Sequence, residues 1–134
     1  MNAERYLERV KKIDALILNK LDDRRHWVEI AEGLGSGFSS GEGVQGSRNL
    51  QKSAEAIGKY VDLDKEIEEL KRQRAAIIGT LEKLPLEEYT VLYSIYVKDC
   101  TLKEIAASMD KSYGWVKKKK REALDRVEKL IREV

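Results

Sequence analysis

The stretch that decides the fold is TLKEIAASMDKSYGWVKKKKREAL, Thr101 to Leu124. Thr101 opens it as a helix N-cap, with Glu104 three residues later. That is the spacing of a capping box, in which the threonine oxygen takes an otherwise unpaired N–H of the first turn. Leu102, Ile105, Ala106 and Met109 recur at helical steps and predict a short helix with one apolar face. Asp110, Lys111 and Ser112 read as a tight turn, and Ser112 as the N-cap of a last helix reaching about Ile131. Val116, Ala123, Leu124 and Val127 form its inward side. Two helices joined by so short a turn, with small Ala106 where the second must cross closely, form the pattern of a helix-turn-helix.

The outward side of the last helix carries Tyr113, Gly114, Lys117, Lys118 and Arg121. Lys119 and Lys120 lie between the two faces. One of them takes a place where an apolar residue would continue the stripe from Val116, with its stem along the core edge and its ammonium at the phosphates. An α-helix fills the major groove of B-DNA, its first turns meet base edges, and flanking cations meet phosphates. Ser112, Tyr113, Gly114, Lys117, Lys118, Lys119, Lys120 and Arg121 are therefore the expected DNA-binding residues. Lys117 and Lys118 are assigned to bases, and Lys119, Lys120 and Arg121 to the backbone. Trp115 is expected at the edge of the helix packing, because duplex readers rarely stack bases.

Charge supports this placement. Residues 1–98 hold 16 Lys/Arg against 17 Asp/Glu, whereas residues 111–134 hold 9 against 4. A basic end on a near-neutral body is the electrostatic footprint of a phosphate binder. The one histidine, His26, and the one cysteine, Cys100, leave no metal cluster, disulfide or catalytic constellation, so neither cofactor nor enzymatic activity is expected. No run suits a membrane or a secretory signal, and a cytoplasmic location is expected.

Upstream, Tyr6, Leu7, Val10, Ile13, Ile17, Leu21, Val28 and Ala31 form one helical stripe from Ala3 to about Glu32, which weakens at Arg24. A second long helix is expected from about Leu50 to Leu84, with a stripe of Leu50, Ala54, Ile57, Val61, Ile67, Leu70, Ile77 or Ile78, Leu81 and Leu84. Between them lies a glycine-rich loop, residues 33–47, expected to be mobile over Ser36–Gly43 with Phe38 as a candidate anchor. It lacks the lysine and hydroxyl residue of a nucleotide loop. Pro85 is expected to end the second helix. Leu86, Tyr89, Leu92, Tyr93 and Tyr96 then mark a three-turn helix. The expected fold is all-α: a long antiparallel helical hairpin, residues 1–84, followed by a helix-turn-helix domain, residues 85–134. The second helix outruns the first, so its C-terminal half needs another cover, either the final domain or a second chain, and a homodimer is expected.

The run LPLEEYTVLYSIYVKDCTLKEIAASMDKSYGWVKKKKREALDRV resembles region 4 of the bacterial sigma-70 family. The resemblance places that family's base and phosphate contacts on Tyr113, Gly114, Lys117 and Lys118. Gly114 stands where the family has a polar side chain, and Lys119 where it has an aliphatic one. No sequence resembles the other sigma regions, so a full sigma factor is not expected. More narrowly, YLERVKKIDALILNK, VQGS and VDLDKEIEEL, in that order before the sigma-like end, resemble small phage and prophage activators of the ArpU and RinA type in Gram-positive bacteria. This implies a transcriptional regulator of phage genes in a bacterial host, with double-stranded DNA and RNA polymerase as partners. A DNA-packaging protein with a helix-turn-helix, or a sigma-like factor that binds polymerase, are the competing readings.

Overall fold

The structure is a computed structural model; it describes residues 2–36 and 43–133, with side chains for 2–33 and 50–133. The fold is all-α: α1 Ala3–Ser36, α2 Gly43–Leu81, α3 Leu86–Tyr96, α4 Leu102–Met109 and α5 Tyr113–Arg132, with no strand among the described residues. The expected glycine-rich loop is shorter than its composition suggests. α1 continues through Gly33 and Gly35, and α2 begins at Gly43, seven residues before the expected start. Glycine lowers helix stability by about 1 kcal/mol but keeps its N–H, so the hydrogen-bond ladder can pass through it. Phe38 and residues 37–42 lie outside the described residues.

α2 ends at Leu81 rather than Leu84. Its last turn tightens, with Lys83 N–H donating to Thr80 and Leu84 N–H to Leu81, at 3.2 and 3.0 Å. Pro85 restricts the residue before it, so the helix closes a turn early. Pro85 instead serves as N-cap of α3, where φ −54° suits it.

The chain forms two compact units, residues 15–71 and residues 1–14 with 72–134. The boundary expected after Leu84 falls inside the second of these. Within residues 15–71, α1 and α2 pair antiparallel. Lys20 meets Glu66 at 2.9 Å, Arg24 meets Asp64, and the Ser53 hydroxyl donates to the Ala31 carbonyl at 3.3 Å. The α2 residues turned inward here are Ser53, Ala56, Tyr60, Leu63, Asp64, Ile67 and Leu70. The expected stripe is therefore displaced by one residue over residues 50–61, where Leu50, Ile57 and Val61 are exposed, and holds at Ile67 and Leu70; Leu18 and Leu21 of α1 are exposed too. Arg24, half-buried beside Asp64 and over the Tyr60 ring, holds the seam at the position where the stripe was expected to weaken.

The other unit holds the main core. Leu7, Val10 and Ile13 of α1 and Ile77 and Leu81 of α2 are buried, as are Leu84, Val91, Leu92, Tyr96, Val116, Ala123 and Val127. The Tyr6 hydroxyl lies 2.8 Å from that of Thr80, and Arg74 Nε donates to Asp14 at 2.7 Å. Lys11 pairs with Asp99 after α3. The C-terminal half of α2 is thus covered within its own chain, which removes the reason given for a dimer there. In α3 the burial differs from expectation too. Leu86 is 77% exposed, while Glu88 is only 3% exposed. Both Glu88 oxygens accept from Arg126 Nε on α5, at 3.1 and 3.2 Å, which satisfies a carboxylate at a core position.

Candidate nucleic-acid interface

α4 and α5 are placed by local chemistry. Thr101 Oγ1 accepts from the Glu104 N–H at 3.2 Å and donates to the Glu104 carboxylate. Asp110 closes α4 in the left-handed region, φ 55°, and the Lys111 N–H returns to the Ala106 carbonyl at 3.0 Å. That reversal is normally given to glycine, and aspartate is one of the few other residues that tolerates it. Ser112 Oγ then accepts from the Trp115 N–H at 3.1 Å and starts α5. One turn on, Val116 is fully buried against Val91, Ile105 and Ala106. This apolar anchor sets the rotation of α5 and therefore which of its residues face outward.

The face so presented carries Tyr113, Gly114, Lys117, Lys118 and Arg121, all exposed. The N–H groups of the first turn have no partner further back in the helix, so this end also carries the positive pole of the α5 dipole. Lys117 Nζ lies 5.7 Å from the Tyr113 ring centroid. Trp115 is half-buried at the edge of the packing, as expected, with Lys111 and Lys119 ammoniums 5.2 and 5.6 Å from its ring.

Lys119 and Lys120 keep their stems against the core edge, their side chains 27% and 30% exposed. Their ammoniums have carboxylate neighbours within the chain. Lys119 lies 3.6 Å from Glu122 and 3.9 Å from Glu87, and Lys120 lies 3.9 Å from Glu4. Lys118 lies 3.9 Å from Glu122. These separations exceed hydrogen-bond length, so the pairs are solvated attractions, each weak.

An open cavity of about 590 Å³ lies along this face, lined by Gly114, Lys117, Lys118, Lys120, Arg121, Leu124, Asp125 and Glu4. Four cations and the bare backbone of Gly114 make it a place for anionic groups. Glu4 was not anticipated there, because nothing local in α1 links it to α5. The same end of α1 also bears on Tyr96. Burial, and then the Glu4 and Glu8 carboxylates, push its phenol up to about 12.

No helix of the described residues is long and apolar enough to cross a membrane. No curated protein and no solved structure matches the chain. Residues 80–129, less than half of the chain, match the family model described as Sigma-70, region 4. The C-terminal part of this all-α chain is thus a sigma-70 region 4-like domain, a helix-turn-helix of the DNA-binding kind.

Proposed function

We propose that the protein is a sequence-specific double-stranded DNA-binding transcriptional regulator, an activator of phage genes of the ArpU and RinA type. The observation that carries the DNA reading is the cationic outward face of α5 within a region that matches sigma-70 region 4. The phage role rests on the ordered motifs before that region. In this reading Ser112 and the first N–H groups of α5 meet a phosphate, and Tyr113 and the Gly114 backbone approach the groove. Lys117 and Lys118 reach base edges, and Lys119, Lys120 and Arg121 meet the backbone.

We also propose a homodimer, with a second copy covering the exposed Leu18, Leu21, Leu50, Ile57 and Val61. In the antiparallel pairing of residues 15–71 these five fall on one side of the two helices, an apolar surface that is costly to leave in water. A dimer would present two recognition helices to two half-sites. Light scattering at micromolar concentration tests it, and a monomer at every concentration refutes it.

The DNA reading is tested by selecting duplexes from a phage-bearing genome and measuring binding of alanine variants across a salt series. Truncating a base-contacting lysine should cost about 1–3 kcal/mol on the selected site and relax one position. Truncating a phosphate contact should weaken all duplexes alike and lower the salt slope by about one unit. If the triple variant Lys117→Ala, Lys118→Ala, Arg121→Ala binds as tightly as the parent, the DNA reading fails. A polymerase-binding role for the sigma-like region would then be preferred.

A further inference from the structure

Glu4 sits in the first turn of α1, where an acidic side chain also suits the helix dipole. Yet it lines the same cavity as Gly114, Lys117, Lys118 and Arg121, and its Oε1 lies 3.9 Å from Lys120 Nζ. Its side chain is 54% exposed, so it faces the water from which a ligand would arrive. A carboxylate there does two things to an approaching polyanion. It repels phosphates drawn to the four cations of the cavity, and it already lies beside Lys120, the cation whose stem is packed at the core edge.

We propose that Glu4 is a tethered competitor of the DNA backbone, a carboxylate standing in for a phosphate beside Lys120. Duplex binding exchanges the Glu4 contact of Lys120 for a phosphate contact. The exchange limits the sequence-independent part of the affinity, which is the electrostatic part, and leaves base readout by α5 untouched. The first turn of α1 thereby sets how strongly the C-terminal domain holds arbitrary DNA. This rests on the DNA-binding reading above.

The test uses the full chain and a labelled duplex of random sequence, with fluorescence anisotropy between about 50 and 300 mM salt, where electrostatic screening changes strongly. Glu4→Gln keeps the shape and removes the charge. It is expected to tighten binding about five- to tenfold at the lowest salt, with the gain shrinking as salt rises and the salt slope steeper by up to about one unit. Glu4→Ala should give the same gain. Glu8→Gln makes the same change in net charge on the same helix but does not line the cavity, and should gain less than about twofold. In a Lys120→Gln background, Glu4→Gln should lose most of its effect. Circular dichroism of each variant should match the parent. Duplex binding by the parent with no gain in either Glu4 variant overturns this proposal alone. An equal gain from Glu8→Gln, or a full gain without Lys120, overturns it in favour of a net-charge effect. No duplex binding by the parent at any salt overturns it together with the DNA reading.

Discussion

Leu7→Ala should destabilise the helix-turn-helix although the two are separated by nearly the whole chain. Leu7 is 0% exposed and belongs to the same compact unit as α3, α4 and α5. The substitution removes three carbons, worth about 0.8 kcal/mol each in transfer, and leaves a cavity that adds to the loss. A cost of about 3–4 kcal/mol follows, against a stability of roughly 4–12 kcal/mol for a unit of this size. With a urea slope of about 1 kcal/mol/M, the midpoint should fall by about 3 M. Trp115 of α5 is the reporter, read in a Trp27→Phe background so that the other indole is silent. If residues 1–14 were only part of a separate hairpin, the Trp115 transition would stay where it was. A shift below about 0.5 M refutes the claim that the start of α1 is structural to the DNA-binding unit.

Three further outcomes are expected. Arg126→Ala strands the Glu88 carboxylate at a core position and should cost about 2 kcal/mol in urea unfolding, less than for a fully dry pair because Arg126 is half-exposed; Glu88→Leu with Arg126→Met should recover most of it. Ser112→Ala removes the cap of α5 and should cost about 1 kcal/mol, with a matching loss of helical circular dichroism at the melting edge. Tyr96 ionises later in the fold than its ordinary value of 10.0, near 12, so its contribution is full below pH 10 and lost as pH rises from 10 to 12. Tyr96→Phe should flatten the thermal stability of the protein across that window.

The helix-turn-helix was legible because its determinants are local. A cap, an apolar face, a short turn and a second cap lie within about twenty residues of one another, and each was where the spacing put it. The seam of α2 was read wrongly in its first half for a different reason. Leu50, Ala54, Ile57 and Val61 make as regular a stripe as Ser53, Ala56, Tyr60 and Leu63, and periodicity alone cannot choose between neighbouring stripes. The choice is made by pairs such as Arg24 with Asp64, which involve two helices at once. Glu88 illustrates the same limit, since a carboxylate reads as surface until Arg126 is seen beside it. Glu4 is a third case: its meeting with Lys120 joins the two ends of the chain, and no pattern within either end encodes it.

Gly114 leaves a freedom that the packed and capping positions of α5 lack. A Cβ added there meets nothing within 4 Å, and its backbone is not in the left-handed region. The scaffold does not demand glycine, and alanine there should raise helix stability by up to about 1 kcal/mol. The neighbouring Val116 is fixed by packing and Ser112 by capping, so neither can be altered cheaply. Position 114 is consequently a place where a side chain can be added to the exposed face of α5 without disturbing the architecture, and under the proposed DNA reading that side chain would face the groove. If the proposed DNA reading holds, a small library at this single site should yield variants that select different duplexes.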